Sequence, residues 1–193
     1  MYLFGYGSLI NLLSAQKSFK RVLTQDNLML VKIKGYKRVW NALESIKFEN
    51  EENSSNGVFL NIQKDENSIL TGVMIEISKE ELEILKLREK NYSCITIKKE
   101  DVLDLNLKDD LIAFMTTNES KLAKIDDINT FIPTKYIQVV KDGLKNYDDE
   151  FKKDFNKTFE DFLFPLKDGN YTFTDPVQNK AAREGSKIYN EKK

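Results

Sequence analysis

Glu89 is the acidic residue whose position in the sequence most suggests chemistry. Leu82, Leu85 and Glu89 are spaced three and then four residues apart, so all three side chains project from one face of a predicted helix. Burial there would raise the pKa of the carboxyl group, as a general acid or base near pH 7 requires. The alternative is that Glu89 lies in the last helical turn and reaches solvent, and periodicity alone leaves both interpretations open.

The N-terminal stretch Tyr2 to Asn11 joins an apolar run to two closely spaced glycines. The chain has only 8 glycines, and Gly5 and Gly7 flank Tyr6. Glycine lets another group approach the backbone closely, so we expect the end of this strand to direct main-chain N–H groups into a site. The G-x-G pattern is a poor dinucleotide fingerprint, because the third glycine and the βαβ crossover are missing.

The sequence contains no histidine and a single cysteine, Cys94. Catalysis by Ser-His-Asp or Cys-His groups is therefore excluded, and the commonest nitrogen ligand for zinc and iron is missing. We expect no metal and no cofactor, and proton transfer near neutral pH would use a carboxylate, a lysine or a tyrosine. Cys94 itself lies in an alternating apolar pattern, which predicts a packed thiol.

Charge and hydropathy narrow the class of partner. The 193 residues include 30 basic and 31 acidic residues that are interspersed along the chain. This balance gives no field that would attract nucleic acid or an anionic membrane, so we expect a small-molecule partner and a monomer or homodimer. No segment approaches the roughly 20 apolar residues of a membrane span, which predicts a soluble, cytoplasmic protein.

The order of predicted elements indicates the fold class. Strands are predicted at 2–6, 28–40, 57–62, 69–77, 92–97 and 111–115, and helices at 12–19, 78–90, 135–144 and 149–162. The segments 57–62 and 69–77 are interpreted as a hairpin that turns at residues 64–67, and 49–56 as a surface loop. Without regular βαβ alternation, this order predicts an α+β fold with a mixed or mostly antiparallel sheet. We predict one domain over 1–166, with C-terminal helices at 135–166 packed on it, and a polar tail at 167–193.

Three motifs resemble the γ-glutamylcyclotransferase-like superfamily. They are the N-terminal Tyr6-Gly-Ser-Leu9, the strand Gly35-Tyr-Lys-Arg-Val-Trp40, and Arg88-Glu-Lys-Asn-Tyr92 after a leucine-rich helix. The resemblance covers roughly residues 1–145 in order and spacing, and it looks closest to the branch that includes the glutathione-specific, ChaC-type enzymes.

The resemblance implies a small barrel-like β-sheet flanked by helices, with a pocket at one end. It implies release of 5-oxoproline from a γ-glutamyl substrate, with Glu89 as the general acid/base and with the γ-glutamyl group held by backbone amides. The implied substrate-binding residues are Tyr6, Gly7, Ser8, Leu9 and Tyr92.

Two positions depart from the family pattern. Asn91 stands where ChaC-type sequences usually carry glycine, and Asn11 follows the N-terminal motif where an aromatic residue is usual. The substrate therefore stays open among glutathione, a γ-glutamyl-amino acid and a γ-glutamyl-amine. A non-catalytic γ-glutamyl-like metabolite binder, or a partner-binding protein on the same scaffold, is the alternative function.

Overall fold

The computed structural model describes residues 1–103, 105–177 and 179–180. Within these residues, nine strands form a curled, mixed sheet that four α-helices accompany, so the predicted α+β fold is confirmed. The strands are Tyr2–Gly5 (β1), Met29–Phe48 (β2), Ser55–Glu76 (β3), Ser93–Ile97 (β4), Val102–Leu103 (β5), Leu111–Met115 (β6), Thr130–Pro133 (β7), Leu166–Lys167 (β8) and Tyr171–Phe173 (β9). The helices are Leu12–Gln16 (α1), Lys79–Arg88 (α2), Thr134–Leu144 (α3) and Asp149–Phe159 (α4).

The main path of the sheet runs β4-β6-β1-β3-β2-β5, with β7 added to β3, β8 to β7 and β9 to β2. β1 lies inside the sheet, antiparallel to β3 and parallel to β6. Its side chains are therefore packed from both neighbours, and Leu3 and Phe4 are almost fully buried. The chain that leaves β1 at Gly5 consequently starts from a rigid, central position.

Strand β2 presents one face to the interior along most of its length. From Tyr36 to Phe48, every second side chain is buried, as the two-residue repeat of a strand requires. The phase is set at Gly35, which has a φ of +83° and marks a shift in the pairing with β3. Because of this phase, two charged residues, Arg38 and Glu44, point inward with 3% and 5% of their surface exposed.

The predicted hairpin with a turn at residues 64–67 is wrong. Both of its arms belong to the single strand β3, and both pair with β2 instead of with each other. Lys64 lies opposite Tyr36 and Ile69 opposite Lys34, so the four residues between them bulge out opposite Gly35. A bulge interrupts the ladder and leaves residues unpaired, which accounts for a polar run that resembles a turn.

The C-terminal helices cover the inner face of the sheet. In α4, Phe151, Phe155 and Phe159 recur every four residues and are buried, so they form one apolar face. The indole Nε1 of Trp40 donates a 2.8 Å hydrogen bond to the carbonyl of Phe159, which ties the end of α4 to β2. None of the helices in the described residues is long and apolar enough to cross a membrane.

Two regions differ from the sequence-based expectations. The predicted packing of Cys94 is wrong, because β4 is the end strand of the main sheet path and the thiol is exposed. Within the predicted polar tail, Tyr171–Phe173 forms β9, which pairs with Ile46 to Phe48 of β2. Residues 181–193 of that tail lie outside the described residues.

Candidate active site

A pocket of about 150 Å³ opens where β1 ends. That volume corresponds to roughly ten water-sized positions, enough for a small polar ligand. The structure brings together in this pocket every site residue named from the sequence, and their chemical roles stay predictions. Those lining residues are Tyr6, Gly7, Ser8, Leu9, Glu89 and Tyr92.

The loop after β1 is held in place from two sides. The Tyr6 hydroxyl donates a 2.5 Å hydrogen bond to the carbonyl of Phe114 on β6. The Tyr6 carbonyl accepts a 2.7 Å hydrogen bond from Nε of Arg38, and a 3-10 turn follows at Ser8–Ile10. The first N–H groups of such a turn have no partner within it, so a pinned loop can present them to a ligand.

Gly7 is required by the close approach of Tyr136 from α3. A Cβ atom at this position would lie 2.7 Å from the Tyr136 hydroxyl oxygen. A side chain at this position would therefore push against the Tyr136 hydroxyl. The backbone and the hydroxyl of Ser8 both act on the same Tyr136 hydroxyl, and each lowers the pKa of that hydroxyl.

Glu89 lies at the C-terminal end of α2, beyond the buried Leu82 and Leu85. Its backbone N–H donates a 2.8 Å hydrogen bond to the carbonyl of Leu85, and its side chain faces the pocket with 27% of its surface exposed. Burial by the pocket walls raises the pKa of the Glu89 carboxyl group, and the guanidinium of Arg88, 3.6 Å away, partly offsets this increase. Of the two interpretations left open by the sequence, the structure favours the pocket-facing carboxylate.

Three phenols surround this carboxylate: those of Tyr6, Tyr92 and Tyr136. Burial is the main cause that raises the pKa of each hydroxyl above its ordinary value, and the negative charge of Glu89 adds to the effect. The three hydroxyl groups are therefore protonated at neutral pH. The hydroxyl of Tyr6 donates to Phe114 and can accept from a ligand, and those of Tyr92 and Tyr136 can donate to one.

Glu44 is a second carboxylate in the pocket that the sequence reasoning missed. Its Oε2 accepts a 2.8 Å hydrogen bond from Nδ2 of Asn91, two residues after Glu89. Burial raises the pKa of the Glu44 carboxyl group, the Asn91 hydrogen bond and Lys121 lower it, and Glu89 contributes a further increase. The residue that departs from the ChaC pattern, Asn91, is thus the partner of this carboxylate.

One wall of the pocket comes from the C-terminal region. Phe173 of β9 lines the pocket and lies 5.4 Å from the ring of Phe59, measured between centroids. Just beyond it, a carboxylate oxygen of Asp175 lies 2.5 Å from the ammonium nitrogen of Lys90, the residue after Glu89. The segment that carries Phe173 is therefore fastened to the same helix end that presents the candidate acid/base.

The missed residues differ in the signal that could have revealed them. Arg38 and Glu44 occupy positions of β2 where every second residue is buried. A charged residue at such a position is the sequence pattern that could have indicated them. Tyr136 and Phe173 enter the pocket through tertiary packing, and no local pattern marks them. In the part of the chain that the structure describes, no three His, Cys, Asp or Glu side chains converge to hold a metal ion, and the metal-free site stays a prediction.

Comparisons with known proteins bear on the fold. A solved γ-glutamyl cyclotransferase superimposes with a TM-score of 0.58 at 14% identity, covering 95% of this chain and 98% of that chain. YkqA from Bacillus subtilis gives 0.58 at 21% identity, covering 86% of this chain but only 56% of that chain. An uncharacterized protein from Homo sapiens gives 0.58 at 12% identity, covering 93% and 96%.

A scan of protein-family models and a search of curated protein sequences found no match to this chain. At 12–21% identity, the structural likeness is evidence for the fold. The resemblance inferred from the three sequence motifs is confirmed at that level: this chain has the γ-glutamyl cyclotransferase-like fold.

Proposed function

We propose that this protein is a γ-glutamylcyclotransferase-type enzyme that releases 5-oxoproline from a γ-glutamyl small molecule without a cofactor. The observation that carries the proposal is the meeting of the Glu89 carboxylate with the Tyr6–Leu9 loop in one pocket. A carboxylic acid with a raised pKa that faces a pocket beside backbone amides is the arrangement that proton-transfer catalysis uses.

The reaction requires little beyond one proton carrier. The α-ammonium group of the substrate loses a proton to Glu89, and the free amine attacks the γ-carbonyl carbon. A new C–N bond closes the five-membered ring, Glu89 returns its proton to the departing nitrogen, and the bond to the leaving amine breaks. The ring nitrogen passes its remaining extra proton through the same carboxylate to the released amine, so the products are a neutral lactam nitrogen and a protonated amine. The nucleophile is tethered to its electrophile, so the substrate itself supplies the proximity advantage.

The surroundings of Glu89 suit this role. Burial raises the pKa of its carboxyl group, which brings its basicity closer to that needed for proton transfer near neutral pH. Arg88 limits the increase, so the carboxylate is still available as a base. The neutral phenols of Tyr6 and Tyr92 can orient the substrate without competing for the proton.

The loop would hold the other charged groups of the substrate. The α-carboxylate and the oxyanion that develops on the γ-carbonyl both need hydrogen-bond donors, and the amides of Gly7, Ser8 and Leu9 are the candidates. The Tyr136 hydroxyl lies beside Gly7 and Ser8, and such a substrate oxygen would take its place. On binding, the substrate oxygen would then replace the Tyr136 hydroxyl oxygen as the acceptor beside Ser8.

A screen for 5-oxoproline release tests the proposal. The purified protein is incubated with glutathione, γ-glutamyl-alanine, a γ-glutamyl-alkylamine and, as a matched control, α-glutamyl-alanine, and products are separated by liquid chromatography with mass detection. We expect 5-oxoproline from at least one γ-glutamyl donor and none from the α-linked isomer above the uncatalysed rate. Binding of the donors without any release would instead support the non-catalytic metabolite binder.

A further inference from the structure

Glu44 is a buried acid that the proposed proton transfers do not use. It lies on β2 opposite Gly57, is 5% exposed, and lines the pocket together with Glu89. Among the described residues, Asn91 is the one hydrogen-bond donor to its carboxylate, and no lysine or arginine nitrogen lies within 4 Å of it. The partner is a neutral amide, so the negative charge is left without a matching cation.

A buried carboxylate without a cationic partner is costly, because it loses hydration and gains no ion pair. Here the surrounding charges add to that cost. Glu89 and Asp175 both repel Glu44, and the attraction of Lys121 acts from beyond ion-pair distance. In the part of the chain that the structure describes, the pocket is therefore short of positive charge on the side of Glu44, and a cationic ligand group would remove the deficit.

The position of Glu44 in the pocket indicates a contact with the leaving group of the substrate. In the proposed reaction, the Tyr6–Leu9 loop and Glu89 engage the γ-glutamyl part, and Glu44 reaches the pocket from a different strand. The neighbouring wall is aromatic, with Phe59 and Phe173 in contact and Phe173 carried by the strand next to β2. An apolar wall that leads to a buried carboxylate fits an aliphatic chain that ends in an ammonium group.

We propose, on the basis of the cyclotransferase function proposed above, that Glu44 is a specificity residue that selects γ-glutamyl amines whose leaving amine carries a second cationic group. The simplest substrate of this class is a γ-glutamyl diamine. Its γ-amide C–N bond breaks as the ring C–N bond forms, and the products are 5-oxoproline and the free diamine. The orientation of Glu44 is maintained by Asn91, through the 2.8 Å hydrogen bond.

The same geometry disfavours leaving groups with a negative charge near the amide. A carboxylate of a γ-glutamyl peptide that approached Glu44 would face like charge at low effective dielectric, which is unfavourable. The protein should therefore rank cationic above neutral above anionic leaving groups.

Three donors that differ only at the end of the leaving amine test this ranking. They are the γ-glutamyl derivatives of 1,4-diaminobutane, of n-pentylamine as its neutral isostere, and of 4-aminobutanoic acid as the anionic analogue. We expect kcat/KM for 5-oxoproline release to be about 10- to 100-fold higher for the diamine than for the pentylamine derivative, the usual worth of a charge-assisted hydrogen bond. Equal values for these two donors would overturn the inference while leaving the proposed function intact.

Variants at Glu44 identify the residue responsible. In Glu44→Gln, which preserves the size and shape of the side chain, the ratio of kcat/KM for the diamine derivative to that for the pentylamine derivative should fall to about one. Glu44→Asp, which retains the charge, should restore part of the preference. If Glu44 instead held the α-ammonium group, Glu44→Gln would slow all three donors equally, and the inference would fall.

A binding measurement separates this inference from the proposed chemistry. Calorimetry with the diamine and pentylamine derivatives on Glu89→Gln, and on Glu89→Gln combined with Glu44→Gln, reports selectivity without turnover. Tighter binding of the diamine derivative that disappears in the double variant would support the role of Glu44, even if the unchanged protein released no 5-oxoproline. Equal binding of the two derivatives to the single variant would overturn it.

Discussion

The guanidinium Nε of Arg38 donates a 2.7 Å hydrogen bond to the backbone carbonyl of Tyr6, inside the protein. The same guanidinium donates to the carbonyl of Thr71 at 2.6 Å and to that of Phe155 at 3.1 Å. It also lies over the Phe155 ring, 3.5 Å from its centroid. Arg38 therefore joins the candidate substrate loop to β3 and to α4, and the loop depends on it for its position.

Loss of Arg38 should destabilise the fold. Arg38→Met removes the donors and leaves buried carbonyl groups unpaired at a cost of about 1–3 kcal/mol each, so we expect the free energy of unfolding in urea to fall by roughly 3 kcal/mol or more. Arg21→Met is the control, because Arg21 is 39% exposed and its ion pair with Glu81 should contribute about 1 kcal/mol or less. Equal losses in the two variants would contradict the bridging role of Arg38.

The close approach at Gly7 gives a second prediction. In Gly7→Ala the new methyl group would meet the Tyr136 hydroxyl at 2.7 Å, and the displaced loop should lower kcat/KM by about 10- to 100-fold. Because the clash involves one oxygen atom, Tyr136→Phe added to Gly7→Ala should recover part of the activity. Near-native activity in Gly7→Ala alone would show that the loop does not need this contact.

A substitution of Ser8 distinguishes the contribution of its backbone N–H group from that of its hydroxyl group. Ser8→Ala keeps the main-chain N–H group and removes the hydroxyl that contacts Tyr136. If the amide binds the substrate, as we propose, KM should rise by less than about tenfold and kcat should change little. A loss of kcat comparable with that of a missing oxyanion donor, about 10²-fold, would assign the contact to the hydroxyl instead.

The pH profile follows from the raised pKa of Glu89. Its carboxyl group must be ionised to accept the ammonium proton, so activity is lost as the pH falls through the pKa of Glu89. Because burial raises that pKa, the acidic limb of kcat/KM should lie above the ordinary glutamate value of about 4.3. A limb at or below about 4.3 would contradict the buried base.

Much of the candidate site could be predicted from the sequence, because its parts are local. The Tyr6–Leu9 loop follows Gly5 directly and contains Gly7, and Glu89 shares a helix face with Leu82 and Leu85 within two turns. Both patterns depend only on residues that are close in the sequence: the conformational freedom of glycine and the 3.6-residue repeat of a helix. The structure accordingly places these residues in one pocket.

The remaining parts depend on contacts between distant segments. Glu44 was missed because the predicted strand stopped at Trp40, although the alternation of buried residues continues to Phe48. The polar residues 64–67 indicated a turn, but residues 65–68 form a bulge, and the pairing of β3 with β2 resumes beyond it. Phe173 reaches the pocket only because β9 pairs with β2, and no local pattern in the tail encodes that pairing.

The kinetics of Glu89→Gln test the central claim most directly. The substitution keeps the size of the side chain and removes its basicity, so we expect 5-oxoproline release to fall by about 10²- to 10⁴-fold while substrate affinity, measured by calorimetry, stays within about threefold. Glu83→Gln is the matched control on the same helix, since its side chain is 69% exposed and should leave activity unchanged. A folded Glu89→Gln protein that releases 5-oxoproline at the native rate would contradict the assignment of Glu89 as the acid/base.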